Sequence, residues 1–256
     1  MDLKNNLRTE TGWEIIEKSF DPDQLVTTGS NFMIGNGYLG YRGTFENWGP
    51  EEFVACVVTD TWDQAEGSRW SELCNVPNGL YTELAVDGET CSLFSGALRE
   101  YEHSLDLKYG INTRKIEWKG SGGNALEFES RKFASKANPH LLVQQLCIRA
   151  LDETTLDLKT GIHGDLWSLN GEHFRSLEAG SLEGGLIGLS LKTGELGTDV
   201  AVVEGVLLRG SSPSETSITT QGKSIFRSLR FELRNGEEVR IEKVVGNSAG
   251  RTLQVL

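Results

Sequence analysis

Alternation of apolar and polar residues with a period of two runs through most of this 256-residue chain, and that period puts successive side chains on opposite faces of a strand. Leu229, Phe231 and Leu233 alternate with Arg230, Glu232 and Arg234; beyond Asn235-Gly236, Val239 and Ile241 alternate with Arg240 and Glu242. An Asn-Gly pair between two such runs predicts a hairpin with one wet face. Ile116 and Trp118 lead into Gly120-Ser121-Gly122-Gly123, behind which Leu126 and Phe128 alternate with Glu127 and Glu129. Leu84 and Val86 run into Asp87-Gly88, and Leu156 and Leu158 flank Asp157. The stretch from Leu141 to Leu151 could be helix or strand by composition. Leu142, Leu146, Ile148 and Ala150 share one strand face, however, and Pro139 stands just before them, which favours a strand. No segment carries a long, capped stripe of period 3.6. With 30 glycines punctuating the chain, the pattern predicts an all-β fold, an antiparallel sandwich of many strands. A single domain over residues 1–256 is expected, with a flexible N-terminal lead and a frayed C-terminal tail.

Charge narrows the partners. A formal net charge of -12 disfavours nucleic acid and anionic membrane, because neither polyanion meets the counter-charge that drives such association. Small neutral molecules or other proteins remain. The segment from Met1 to Arg8 has no apolar core of the kind a signal peptide needs, and no run approaches the roughly 20 apolar residues of a membrane span; a cytoplasmic location is the expectation. Cys56, Cys74, Cys91 and Cys147 are irregularly spaced among apolar neighbours, which favours free buried thiols over disulfides or zinc ligation.

The densest segment runs from Phe32 to Glu46. It packs Gly35, Gly37, Gly40 and Gly43 together with Tyr38, Tyr41, Arg42 and Glu46. Glycines at that spacing predict a compact kinked turn, and the segment lacks the spacing of either a phosphate loop or a dinucleotide fingerprint. Arg42 and Glu46 are expected to pair inside the bend, or else Asn36, Tyr38, Arg42 and Glu46 form a docking surface for another domain. Trp62-Asp63-Gln64 and Trp70-Ser71-Glu72 combine aromatic faces with carboxylates, the chemistry that stacks on a sugar ring while polar groups take its hydroxyls. Trp62, Asp63 and Trp70 are therefore the candidate substrate-binding residues. His103, His140, His163 and His173 stand in no metal spacing, and neither a serine elbow nor a cysteine nucleophile accompanies them. No catalytic residue, metal site or cofactor is assigned. With 37 acidic residues, carboxylate pairs of glycosidase type arise by chance and identify nothing.

The segment from Phe32 to Glu46, by its wording and its distance from the N-terminus, resembles the opening of the glycoside hydrolase family 65 disaccharide phosphorylases. Three later blocks echo the same family in order: Glu72-Leu73-Cys74-Asn75-Val76-Pro77-Asn78, Leu105 to Gly110, and Gly161 to Trp167. The resemblance implies an N-terminal super-β-sandwich of two antiparallel sheets, galactose-mutarotase-like, ahead of a helical linker, a catalytic (α/α)6 barrel and a small C-terminal sheet. In that family a glutamic acid of the barrel protonates the glycosidic oxygen while inorganic phosphate, a co-substrate, attacks the anomeric carbon with inversion; some relatives use water instead. This chain resembles only the sandwich, so no catalytic residue carries over and the barrel is absent from it. The partners implied are an α-glucoside disaccharide met through the parent enzyme and the barrel itself, with a homodimer among the implied assemblies. Thr160 to His173 looks closest to phosphorylases acting on kojibiose, trehalose or maltose, although His163 stands where an aspartate is usual. The likeness is expected to fade from Gly246 to Leu256, as in a fragment or a truncated frame. Two other functions stay open: a stand-alone carbohydrate-binding module, and a mutarotase-like aldose epimerase using His140, His163 or His173.

Overall fold

The computed structural model describes residues 7–8 and 12–250. The expected N-terminal lead and C-terminal tail lie outside the described residues. In chain order the strands are β1 (Leu7–Arg8), β2 (Glu14–Glu17), β3 (Ile34–Gly35), β4 (Leu39–Tyr41), β5 (Cys56–Asp63), β6 (Glu72–Val76), β7 (Asn78–Val86), β8 (Glu89–Thr90), β9 (Ala97–Asp106) and β10 (Ile111–Lys119). They continue as β11 (Ala125–Ala134), β12 (Leu141–Ala150), β13 (Thr154–His163), β14 (Phe174–Ser181), β15 (Ile187–Thr193), β16 (Asp199–Gly210), β17 (Glu215–Gln221), β18 (Ser224–Leu233) and β19 (Glu238–Gly250). One short helix, α1 (Leu25–Asn31), precedes β3.

The strands make one layer of ten, in the order β1-β2-β9-β10-β11-β12-β19-β16-β15-β14, and a facing layer split into a five-stranded sheet, β17-β18-β13-β7-β8, and a four-stranded sheet, β3-β4-β5-β6. The pairing is antiparallel, as in β10 with β11, β12 with β19 and β13 with β18. Two sheets were expected, and the second layer divides where Pro77 separates β6 from β7; a proline has no N–H to carry a ladder through that point. The five-stranded sheet lies over β14, β15 and β16, whereas β3, β4 and β5 lie over β11 and β19.

Alternation explains the core. Along β10 the inward positions are Asn112, Arg114, Ile116 and Trp118, and along β12 they are Leu142, Gln144, Leu146, Ile148 and Ala150. The apolar members join Phe128, Leu156, Leu158, Phe231, Val239 and Ile241 in the core cluster between the layers. Asp87 (φ 50°) and Gly88 (φ 83°) close the β7–β8 hairpin with Val86 opposite Glu89, as a two-residue turn with both central φ angles positive requires. Asn235-Gly236 behaves differently from its prediction. β18 pairs with β13 and β17, and β19 pairs with β12 and β16. The turn therefore carries the chain from one layer to the other: Leu233 pairs with Thr154 and Val239 with Ile148, and both join the core cluster between the layers. The Asn-Gly signal specifies a tight reversal with positive φ, here 84° at Gly236, and both connections satisfy it.

Candidate functional site

The Phe32–Glu46 segment is a joint between layers. Asn36 Oδ1 accepts from the backbone N–H of Tyr38 and of Leu39, both at 3.0 Å, and its Nδ2 donates to the carbonyls of Ser135 (2.6 Å) and Pro139 (2.9 Å). The Tyr38 ring packs 4.3 Å from His140, and its hydroxyl accepts from Ala249 N–H at 3.2 Å. Gly43 has a steric reason: a Cβ there would sit 2.4 Å from Cβ of Phe32. Arg42 donates to the carbonyls of Val26 (2.6 Å) and Phe53 (3.0 Å) and not to Glu46. Glu46 pairs instead with Arg114 (3.0 Å) and Lys132 (2.8 Å), cations delivered by β10 and β11. The expected Arg42–Glu46 pair does not form, because the irregular chain between them sends Arg42 towards α1 and Phe53 and Glu46 towards β10 and β11. With Arg42 at 9% exposure and Glu46 at 1%, neither presents a surface for docking. Asn36 and Tyr38 are half-buried and bonded within the chain.

Beneath this joint runs a polar seam that composition did not suggest. His103, Arg114, Lys132, Gln144, Lys243 and Glu204 come from the adjacent strands β9, β10, β11, β12, β19 and β16, and each is buried on the inner face. Burial opposes ionisation of Glu46, but Lys132 and Arg114 outweigh it and hold the carboxyl down at about 2. His103 is stacked on Phe32 at 3.8 Å and is kept neutral by burial and then by the neighbouring Arg114 and Lys132. At the far end Lys243 donates to the carbonyls of Tyr81 (2.7 Å) and Gly161 (3.2 Å) and to Thr160 Oγ1 (2.6 Å), and Glu204 lies 3.6 Å away. Burial pulls that ammonium down to about 8. The seam is closed to solvent, so its chemistry is to fix how the layers register.

A third buried cluster reaches the surface beside the aromatic candidates. In β5 the pairing with β6 slips between Val57 and Trp62, where Asp60 takes φ 67°, and such a slip re-aims the side chains that follow. Trp62 then points outward at 52% exposure while Asp63 is fully buried. Asp63 Oδ2 lies 3.1 Å from His173 Nδ1, and its Oδ1 accepts from Glu195 N–H at 2.7 Å. Glu72 Oε1 lies 2.5 Å from His173 Nε2. The imidazole thus bridges two carboxylates, joining the segment before β14 to β5 and β6. Cys74 completes the group: Asp63, Cys74 and His173 bring three ligand atoms within 4.8 Å of one another. Burial, then the nearby Asp63 and Glu72, push the Cys74 thiol up to about 12. Trp62 and Asp63, expected to act together on a sugar, lie on opposite faces of β5, and Asp63 has both oxygens engaged internally.

Trp70 (59% exposed) sits in the β5–β6 connection, where Asn170 Nδ2 and Ser68 Oγ both donate to its carbonyl. A cleft of about 170 Å3 runs beside His173, lined by Asn75, Trp167, Glu172, Arg175 and Lys223 among others. Its wall is set by the segment following β13, and Gly164 there cannot be replaced freely, since a Cβ would fall 1.8 Å from the carbonyl oxygen of Lys223. Of the histidines considered for epimerase chemistry, His140 meets Tyr38, His163 stacks on Tyr81 at 4.9 Å and His173 is buried. The hollow on the outer face of β9–β12 is lined by paired ions such as Arg99–Glu117 and Arg149–Glu127, and by none of these three histidines.

The architecture is an antiparallel β-sandwich that carries two exposed indoles, Trp62 and Trp70. Residues 15–255 match the glycosyl hydrolase family 65 N-terminal domain, and the chain belongs to that family. The match continues through the segment after Gly246 in which the likeness was expected to fade. A 1,2-alpha-glucosylglycerol phosphorylase of Bacillus selenitireducens is 37% identical over 95% of this chain and 31% of its own length. A kojibiose phosphorylase of Halothermothrix orenii is 30% identical over 94% of the chain and 31% of its own length. Among solved structures, a putative kojibiose phosphorylase from the human microbiome superposes with a TM-score of 0.84 at 18% identity, covering 96% of this chain and 33% of that one. The chain therefore spans about a third of the length of these relatives.

Proposed function

We propose that this chain is the accessory sandwich of an α-glucoside phosphorylase, and that Trp62 and Trp70 help shape the sugar site of a catalytic barrel supplied by a separate part of the enzyme. The observation that carries this reading is the family match over residues 15–255 in a chain that spans 31% of its 37%-identical relative. The parent reaction is inverting phosphorolysis of an α-linked glucoside with inorganic phosphate as co-substrate; the names of the relatives favour phosphate over water as the acceptor.

The size of the cleft fits a shared site. About 170 Å3 falls below the roughly 300 to 1,000 Å3 of complete small-molecule pockets, so a disaccharide would need walls from elsewhere. Trp62 and Trp70 stand exposed outside the lining of this cleft, rigid aromatic faces that would join a site completed by another part of the enzyme at little ordering cost. Barrel docking is assigned to this rim, because Arg42 and Glu46 are buried. A cytoplasmic setting accords with four unpaired cysteines.

The test is a chimaera in which this chain replaces the N-terminal third of the Bacillus selenitireducens relative. Trp62→Ala and Trp70→Ala should raise KM for the glucoside at least fivefold with the melting temperature unchanged. Unaltered KM in both variants would reject the rim assignment.

A further inference from the structure

Asp63, Cys74 and His173 come from three separate stretches of chain, and all three are buried. They offer a carboxylate oxygen, a thiol sulfur and an imidazole nitrogen within 4.8 Å of one another. We propose that these residues form a binding site for one divalent metal ion of the zinc class, with Glu72 orienting the imidazole from behind.

Three observations converge on it. The first is spacing. Bond lengths of about 2.0 to 2.3 Å from zinc to O, N and S put tetrahedral ligand atoms roughly 3.3 to 3.6 Å apart, and Asp63 Oδ2 and His173 Nδ1 already stand 3.1 Å apart. The three ligand atoms lie within 4.8 Å of one another, so closing the set to tetrahedral spacing calls for shifts on the order of 1 Å.

The second is charge. The Asp63 and Glu72 side chains are 1% and 11% exposed and share a single imidazole; among the described ion pairs no lysine or arginine reaches either. Glu72 Oε2 is buried without a hydrogen-bond partner. Two acids against one imidazole leave a deficit of positive charge where uncompensated charge is costly, and a dication removes it.

The third is the arrangement around the ring. With Nδ1 facing Asp63 Oδ2, Nε2 faces Glu72 Oε1 at 2.5 Å, the carboxylate–histidine relation that fixes tautomer and orientation in metal sites. A mixed S, N, O set selects zinc or cobalt over magnesium and calcium, which take oxygen ligands. On binding, the Cys74 S–H proton passes to solvent as the sulfur–metal bond forms, and the fourth position is left to water.

The purified 256-residue chain, stripped with chelator, is titrated with cobalt(II) and then zinc(II). One equivalent of cobalt should give tetrahedral d–d bands and a near-ultraviolet thiolate-to-cobalt charge-transfer band, both abolished by one equivalent of zinc. Cys74→Ser should remove the charge-transfer band, and Asp63→Asn should weaken binding at least tenfold. Cys147→Ser, a half-buried thiol outside the group, should change neither. Circular dichroism establishes that each variant is folded. Failure of the wild-type chain to take up one equivalent, or uptake that survives both Cys74→Ser and Asp63→Asn, would overturn the proposal and leave His173 as a proton-bridged clamp.

Discussion

Replacing Glu46 by glutamine keeps the shape of the side chain and removes one charge from a site where Glu46, Arg114 and Lys132 are each at most 2% exposed. Two buried cations are then left without their anion. Breaking a buried pair in this way costs about 3 to 5 kcal/mol. Titration gives a second route to the magnitude. With the Glu46 carboxyl held at about 2 in the fold against an ordinary 4.5, the linked stabilisation is also about 3 kcal/mol. Each kcal/mol moves the melting temperature of a chain this long by about 2 to 4 °C, so Glu46→Gln should melt roughly 6 to 20 °C below wild type at pH 7. The pH dependence follows from the sign of the shift. Between pH 4.5 and 2 the unfolded chain binds the proton that the folded chain refuses, so the contribution of Glu46 is complete above pH 4.5 and disappears as pH falls towards 2. The gap between wild type and variant should therefore close over that interval. Thermal melting followed by far-ultraviolet circular dichroism across a pH series measures both effects. A gap smaller than about 1 kcal/mol at pH 7, the scale of an exposed pair, would refute the reasoning, as would a gap that stays constant down to pH 2.

Two further substitutions test the joint and the cleft wall. Tyr38→Ala and Arg42→Ala should each destabilise the isolated chain by about 1 to 3 kcal/mol in urea melting, as losses of internal packing and bonding do; unchanged midpoints would return both residues to a docking role. Gly164→Ala should cost about 1 to 3 kcal/mol or prevent folding, because its Cβ meets backbone oxygen at 1.8 Å, and wild-type stability would show that the segment after β13 moves freely.

Much of the fold was legible in period-two alternation. β10, β11, β12 and β13 lie where the pattern put them, and the β7–β8 and β10–β11 turns are hairpins. What alternation leaves undetermined is the partner of each strand, which is why Asn235-Gly236 read as a hairpin and proved to be a crossing between layers. The seven residues of α1 are too few for a period of 3.6 to register. The buried seam left a signal in phase: Arg114 is in step with Ile116 and Trp118, Lys132 with Leu126 and Phe128, and Lys243 with Val239, Ile241 and Val245. A cation on the apolar face of a strand marks a buried pair, though its partner stays hidden. Asp63, Cys74 and His173 left no comparable trace, because tertiary folding alone brings their distant segments together.

The measurement that bears most directly on the central claim is formation of β-glucose 1-phosphate from α-glucosides and inorganic phosphate, assayed for the 256-residue chain alone and for the chimaera with the remaining two-thirds of the 37%-identical relative. The account predicts no product above background from the chain alone and sustained turnover by the chimaera. Turnover by the chain alone would contradict it by placing the catalytic acid within this sandwich, and a folded but inactive chimaera would contradict it by denying the sandwich its accessory role.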